Sequence, residues 1–355
     1  MIAGVRPVLR IALIGFGNVG RRFAERLAGP YGRALRAAGV EPRVTGIATA
    51  HHGLAVNEDG LPLGRCLAAV RAGRSLSALH RGPSLRSVAA FVRRAPVDVV
   101  VDVTPLDPRR GQPAVTHARA ALRGGRHVVT ANKGPLAFAY RSLKRLAKRQ
   151  GRLFLYESAV MDGAPIFNLV ARCLPGVRVL GFRGTLNSTT SLVLTRIEQG
   201  VSVAAALREA QALGIVEADP SHDLDGWDAA VKGCALASVL MGASIRPARV
   251  RRRGIRRLPA SAVRAAAHAG RHFRLVTRAV RVRGAVRVSV APEALPAGDP
   301  LCGAGSDSAL VLETDLMGEI AVLERGGTVE QTAYGLLSDL VTVARAHASR
   351  RRRRR

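Results

Sequence analysis

Short apolar runs alternate with amphipathic stretches along the first half of the chain. Val8 to Ile14 is a compact apolar run ending at Gly15, which predicts a buried strand. A helical pattern follows from Val19 to Leu27. Val44 to Ala48 predicts a second strand, Val97 to Val103 a third, His127 to Thr130 a fourth and Leu153 to Tyr156 a fifth. Ala114 to Leu122 and Leu136 to Gln150 read as helices, the second with basic residues at 141, 144, 145, 148 and 149. The stretch from His51 to Pro83 is mixed, rich in Gly and Arg, and shows no clear period. Strands and helices alternating at this spacing argue for a parallel sheet covered by helices.

After about residue 160 the rhythm changes. Val177 to Asn187, Ala279 to Val282 and Val286 to Val290 predict strands, and Val203 to Leu213 and Trp227 to Leu240 predict helices. Thr332 to Ala348 reads as a closing helix. Residues 350 to 355 are all arginine; their mutual repulsion predicts a disordered tail over 349–355. No internal repeat is visible.

A length of 355 residues fits two domains, and 48% hydrophobic residues exclude a disordered chain. The net charge of +30 raises the question of a polyanion partner. Aromatics are only 4%, no nucleic-acid motif is present, and Arg is spread along the whole chain, so specific nucleic-acid binding is not expected. Cys66, Cys173, Cys234 and Cys302 form no CxxC pair, which fits a reducing cytoplasm better than a zinc or disulfide framework. The N-terminal apolar run is broken by Arg6, Pro7 and Arg10, and no run approaches the ~18 residues of a membrane span. Only four of the 55 Lys+Arg residues are lysine: Lys133, Lys144, Lys148 and Lys232. Where a chain uses Arg by default, a retained Lys points to a task that needs a losable proton.

Three motifs carry chemistry. Gly15-Phe16-Gly17-Asn18-Val19-Gly20 is a GxGxxG between a strand and a helix. Gly15 permits the tight turn, Gly17 lets a pyrophosphate approach the backbone, and Gly20 lets the helix pack on the strand. This predicts a Rossmann-type dinucleotide site. The loop after the second strand reads Thr49, Ala50, His51, His52, with no carboxylate to repel a ribose 2′-phosphate; that tilts the cofactor toward NADP over NAD. Thr130 to Pro135 (TANKGP) follows the fourth strand and Thr104-Pro105 the third, so Thr104 and Lys133 belong at the carboxyl ends where ligands bind. Residues 217 to 232 hold five carboxylates, with Asp228 and Lys232 four apart on one helix face. That clustering suits a ligand bearing an ammonium group; a solvated acidic loop is the bland alternative.

These blocks resemble homoserine dehydrogenases. GFGNVG, VDVTP, VVTANKGPLA, YESAVMDGAPI, LNSTTSLVLT and LGIVEADPSHDLDGWDAAVK occur in the family's order, covering roughly residues 8 to 345. The resemblance implies an α/β chain with a Rossmann-type doubly wound parallel sheet (1–150), a second α+β domain for catalysis and dimerisation (151–325), and a C-terminal segment (326–348) returning to the nucleotide domain. It implies reversible NAD(P)-dependent oxidation of L-homoserine to L-aspartate 4-semialdehyde, a step of threonine, methionine and isoleucine biosynthesis, by a homodimer. It places Lys232 and Lys133 in catalysis, and Glu217, Asp223 and Asp228 on the substrate. Phe16, Asn18, Val19, Thr104 and Ala131 match cofactor-contacting positions, and Gly326 with Gly327 falls in a Gly-rich loop near the cofactor. Glu157 and Val160 match a backbone-rich sodium or potassium site of some members.

Two blocks depart from the family pattern. Thr189-Thr190 is followed by Ser191 where Asn is usual, and the late Gly-rich loop reads ERGGTV. No ACT domain follows, so threonine feedback through one is not expected. Proximity of Lys133 and Lys232 would lower each other's pKa. The competing enzyme reading is an aspartate-semialdehyde type of dehydrogenase, which needs a cysteine nucleophile near a histidine.

Overall fold

The structure, a computed structural model, describes residues 6–85, 87–213 and 219–352. The first half builds a six-stranded sheet from β1 (Val8–Ile14), β2 (Glu41–Ala48), β3 (Leu54–Val56), β4 (Val99–Asp102), β5 (His127–Thr130) and β6 (Phe154–Leu155). The order is β3-β2-β1-β4-β5-β6, parallel except for β3 against β2. This is the doubly wound dinucleotide-binding order, and its direction reverses between β1 and β4, where a crevice opens at the strand ends. β1, β4 and β5 read as continuous apolar runs because central parallel strands are covered on both faces. The aperiodic stretch after His51 holds β3 and a helix, Leu63–Arg71. A boundary at residue 150 falls too early, since β6 completes this sheet.

The second half forms another six-stranded sheet: β7 (Val179–Thr185), β8 (Arg251–Arg252), β9 (Arg271–Val282), β10 (Ala285–Pro296), β11 (Ser308–Thr314) and β12 (Glu319–Glu324), in the order β12-β11-β7-β9-β10-β8. Only β8 runs parallel to its neighbour. β9 starts well before Ala279 because its interrupting Arg274 is buried and paired with Glu198 at 2.8 Å. The β9–β10 hairpin turns on Arg283 and Gly284, both at positive φ, the geometry of a tight primed turn. β11 and β12 were not expected from the pattern. β12 turns Leu323 outward and buries Glu324, which inverts the usual alternation.

Helices Ser188–Glu198, Trp227–Leu240 and Ala260–His268 lie against β9. Gly233 sets how close Trp227–Leu240 comes, since an added Cβ would meet Thr277 Cγ2 at 2.6 Å. One buried apolar cluster runs through both halves, joining Val100, Val128 and Leu136 to Phe182, Val231 and Leu236. The closing helix, Val329–Arg352, returns to the first half and packs Leu336, Leu340 and Val343 with Leu13, Phe23 and Leu35. Its Glu330 takes Arg26 of the motif helix at 2.9 and 3.0 Å.

The closing helix also corrects the tail reading. It continues to Arg352, into the stretch expected to be disordered, because Arg is a good helix former and cations suit a helix C-terminus. Residues 353–355 lie outside the described residues. Among the described residues no helix is long and apolar enough to cross a membrane.

Candidate active site

The three glycines of the motif play three distinct roles. Gly15 sits at φ +94°, and a Cβ there would meet the Val103 carbonyl oxygen at 2.8 Å, so the turn lies flush against the end of β4. A Cβ on Gly20 would meet the Gly15 carbonyl oxygen at 2.6 Å, so only glycine lets the helix Asn18–Leu27 start there. Gly17 has nothing within 4 Å of its added Cβ. It opens onto the space before the helix N-terminus, where N–H groups and the helix dipole favour a phosphate. This chain thus fits a dinucleotide at the position its motif predicts.

A cavity of about 230 Å³ continues from the motif. Val19, Thr104, Ala131 and Lys133 line it from the first half, and Met161, Asp162 and Lys232 from the second, with Thr332 of the closing helix. The expected cofactor residues therefore divide. Val19, Thr104, Ala131 and Lys133 come together, whereas the Phe16 side chain is buried in the core and Asn18 is exposed, accepting from Arg21 at 2.9 Å. Two strand-end loops are tied to each other beneath this wall. Asn132 Nδ2 donates to the carbonyls of Thr104 and Pro105, both at 2.9 Å, while its Oδ1 accepts from Gly134 N–H at 2.8 Å. Asp102 accepts from the Thr104 N–H and hydroxyl at 2.9 and 2.6 Å. These bonds fix where Lys133 leaves the backbone.

At the far end the two lysines share one carboxylate. Asp228 Oδ1 accepts from Lys133 Nζ and Oδ2 pairs with Lys232 Nζ, each at 3.0 Å. Lys232 also donates to the Leu186 carbonyl. Asn187, the cap of the helix Ser188–Glu198, donates to Asp223 at 2.7 Å and to Asp228 at 3.1 Å. Thr189 adds a bond to Asp223 at 3.1 Å. Asn187 and Thr189 carried no role in the sequence reading, although both lie in the LNSTT block. Glu217 lies outside the described residues.

The expected lowering of Lys232 by Lys133 is corrected by this geometry. Burial alone would lower the Lys232 ammonium, but the Asp228 charge and hydrogen bond, with Asp162 and Asp223 behind them, hold it above the usual lysine range. For Asp228, burial opposes ionisation, and the charges of Lys133 and Lys232 outweigh it, so the carboxyl is held well below the usual range. Asp223 moves the other way: burial and the Asp228 charge push its carboxyl up.

Three other sets of expected residues have definite surroundings. The Gly326 N–H donates to Asp307 at 3.0 Å and Gly326 does not line the cavity; the neighbouring Gly327 abuts Asp162 instead. The Glu157 carboxylate is taken by the N–H groups of Phe167 and Asn168 at 2.8 and 2.9 Å and by the Asn168 side chain, and Val160 is buried. Main-chain carbonyls are thus what that segment leaves for a cation, and among the described residues no group of three or more His, Cys, Asp or Glu could hold a metal. Of the four lysines only Lys133 and Lys232 line the cavity; Lys144 and Lys148 are exposed on the helix Gly134–Arg149. None of the four cysteines lines the cavity, where an aspartate-semialdehyde mechanism would need its nucleophile, and burial pushes Cys66 and Cys234 up to about 11 and 12.

Comparison with known proteins accounts for both halves. The profile of the homoserine dehydrogenase NAD-binding domain matches residues 15–157, and the homoserine dehydrogenase profile matches 165–341. A homoserine dehydrogenase of Methanocaldococcus jannaschii is 35% identical over 94% of this chain and 98% of its own. An NAD(+)-dependent homoserine dehydrogenase of Pseudomonas canavaninivorans is 33% identical over 94% and 96%. Among solved structures, a hyperthermophilic archaeal homoserine dehydrogenase in complex with NADPH superposes with a TM-score of 0.80 at 30% identity, over 94% of this chain and 97% of that one. The enzyme of Thiobacillus denitrificans gives 0.79 at 28% identity, over 97% and 75%. The cavity, its paired lysines and the carboxylate between them thus sit in a chain that belongs to the homoserine dehydrogenase family.

Proposed function

We propose that the protein interconverts L-homoserine and L-aspartate 4-semialdehyde with NADP or NAD, and that Lys232 moves the proton of the substrate hydroxyl with Lys133 beside it. The observation that carries this reading is the Lys133–Asp228–Lys232 bridge, both of whose lysines line the cavity that begins at the glycine motif. When bound, the nicotinamide supplies the acceptor for the hydride of the carbinol carbon. The chain must supply a base for the hydroxyl proton, and Lys can do so where Arg cannot.

In the free protein Asp228 keeps Lys232 protonated. The ammonium of homoserine is a third cation competing for Asp228, with Asp223 and Glu217 as further partners. Once Asp228 is shared in this way, burial dominates at Lys232 and favours the neutral amine. Substrate arrival therefore prepares the base, and in the reverse direction the lysine returns the proton to the aldehyde oxygen.

The loop after β2 supports NADP over NAD, since Thr49 to Gly53 contains no carboxylate to repel a 2′-phosphate. A sodium or potassium ion near Glu157 and Val160 would be held by main-chain oxygens and takes no part in the proton transfer. A homodimer is supported by the sheet face turned away from the helices, where Val280 and Leu323 are 41% and 53% exposed. Light scattering at micromolar concentration should give twice the chain mass; a monomer would remove the dimer.

The deciding experiment follows absorbance at 340 nm with homoserine and each dinucleotide. Reduction with homoserine, faster with NADP, is expected. Turnover only with the semialdehyde and phosphate would replace this function with the thiol-dependent alternative.

A further inference from the structure

Carboxylates are scarce in this chain, 25 against 55 Lys+Arg, and several partly buried ones are paired with an arginine. Asp98 has Arg10, Glu198 has Arg274 and Asp299 has Arg183. Among the described residues Asp162 and Glu324 have no ion-pair partner; Asp162 lines the cavity, and Glu324 stands behind it across Gly327. Asp162 is the cavity's acidic wall residue; its Oδ1 accepts from the Thr332 hydroxyl at 2.9 Å, and its Oδ2 faces Gly327. Glu324 is 7% exposed, its Oε2 has no hydrogen-bond partner, and that oxygen would lie 4.0 Å from a Cβ added to the same glycine. Burial and the Asp162 charge push Glu324 up to about 7. The backbone here is also unusual: Met161 and Asp162 are consecutive non-glycine residues at φ +52° and +44°. Strain of this kind, about 1–3 kcal/mol per residue, persists where the surroundings impose it and clusters at functional sites.

We propose that Asp162, backed by Glu324, is the charge partner of the oxidised nicotinamide ring, so that the cavity binds the cationic pyridinium in preference to the neutral dihydropyridine. The placement favours the ring over the ammonium of the substrate. Asp162 is bonded to Thr332, two residues from the Glu330 that holds Arg26 of the glycine-motif helix, so it stands at the nucleotide end of the cavity. Asp228 and Asp223 are held by Lys232 and Asn187, whereas the Asp162 charge reaches Lys232 only at longer range. This inference rests on the dehydrogenase reading and adds a redox preference to it.

The test is calorimetric titration of wild type and Asp162→Asn with NADP+, NADPH and 2′-phospho-ADP-ribose, which lacks the ring. Asn tolerates positive φ and still accepts from Thr332, so the variant keeps the local fold. The dissociation constant for NADP+ should rise roughly tenfold relative to that for NADPH, the scale of one half-buried charge contact, with 2′-phospho-ADP-ribose unchanged. A ratio within twofold of wild type overturns the proposal. Equal weakening of all three ligands also overturns it and makes Asp162 a structural residue. An unchanged ratio with weaker homoserine binding to the NADPH complex assigns Asp162 to the ammonium instead, again against the proposal. Wild-type protein that binds neither dinucleotide would sink the dehydrogenase reading itself, which an altered or unaltered ratio leaves standing.

Discussion

Asp228→Asn removes the one negative charge that two half-buried ammonium groups share, and it should change the sign of a pH dependence. Each N–O separation is 3.0 Å, and the Asp228 and Lys232 side chains are both 15% exposed. At an effective dielectric of about 20, one such contact is worth ~5 kcal/mol before solvation. Asn keeps a dipole in place, so a loss of about 3 kcal/mol is a fair figure, enough for burial to carry Lys232 below the usual lysine range. In the parent protein Lys232 is raised when folded, so its stabilising contribution is present below the unfolded-state value and is lost as pH rises through the folded one. In the variant the folded Lys232 binds its proton more weakly than the unfolded chain does, so stability should climb between pH 7 and 10. Denaturant melts at pH 7, 8.5 and 10 measure this directly. The same shift should move the ascending limb of kcat/KM toward acid, while kcat/KM at its plateau falls, because the substrate ammonium has lost a partner. Parallel stability profiles for parent and variant, with an unmoved limb, would show that Asp228 does not control Lys232, and the substrate-primed base would be wrong.

Three further outcomes are expected. Lys232→Arg keeps the charge but removes an accessible proton; turnover should fall by about 10² or more, and near-parental rates from pH 7 to 10 would leave the lysine only an electrostatic role. Gly17→Ala has room for its methyl in the empty protein, so melting should shift little while dinucleotide titration shows lost affinity, whereas Gly20→Ala collides with the Gly15 carbonyl and should lower stability as well. Burial pushes Asp339 up to about 8, against its bond from the Glu157 N–H, so the folded state holds a proton that the unfolded chain releases near pH 4 and loses stability as pH rises between those values. Asp339→Asn escapes that loss, so its melting temperature should gain on the parent from pH 5 to pH 8; a constant gap would mean Asp339 does not titrate there.

What could be read from the sequence is what local physics determines. Val8–Ile14, His127–Thr130 and Trp227–Leu240 have the bounds their patterns predict, because each is a run buried enough for apolar residues to mark it. The glycine roles were legible because turn geometry and helix packing act within a few residues. The lysine protonation was not. Asp228 and Lys232 are visibly one turn apart, but Lys133 reaches the other carboxylate oxygen from 95 positions away. Asn187 was hidden for the same reason, since its partners Asp223 and Asp228 lie 36 and 41 positions on. β12 escaped because its apolar residues fall on both faces, with Leu323 exposed and Glu324 buried, and β9 was cut short because a paired, buried Arg274 looks like a surface residue in the sequence.

The apolar cluster that threads both sheets, together with the closing helix, bears on how the molecule comes apart. Val128 and Leu136 share a core with Val231 and Leu236, and a helix that starts after β12 completes the layer over β1. Neither half can open without exposing the interior of the other. Two domains with separate cores would melt in two steps; here calorimetry should show a single transition, at a temperature raised by either ligand class. The halves are therefore not interchangeable modules, and a fragment ending near residue 155 should fail to fold on its own despite carrying every strand of its sheet.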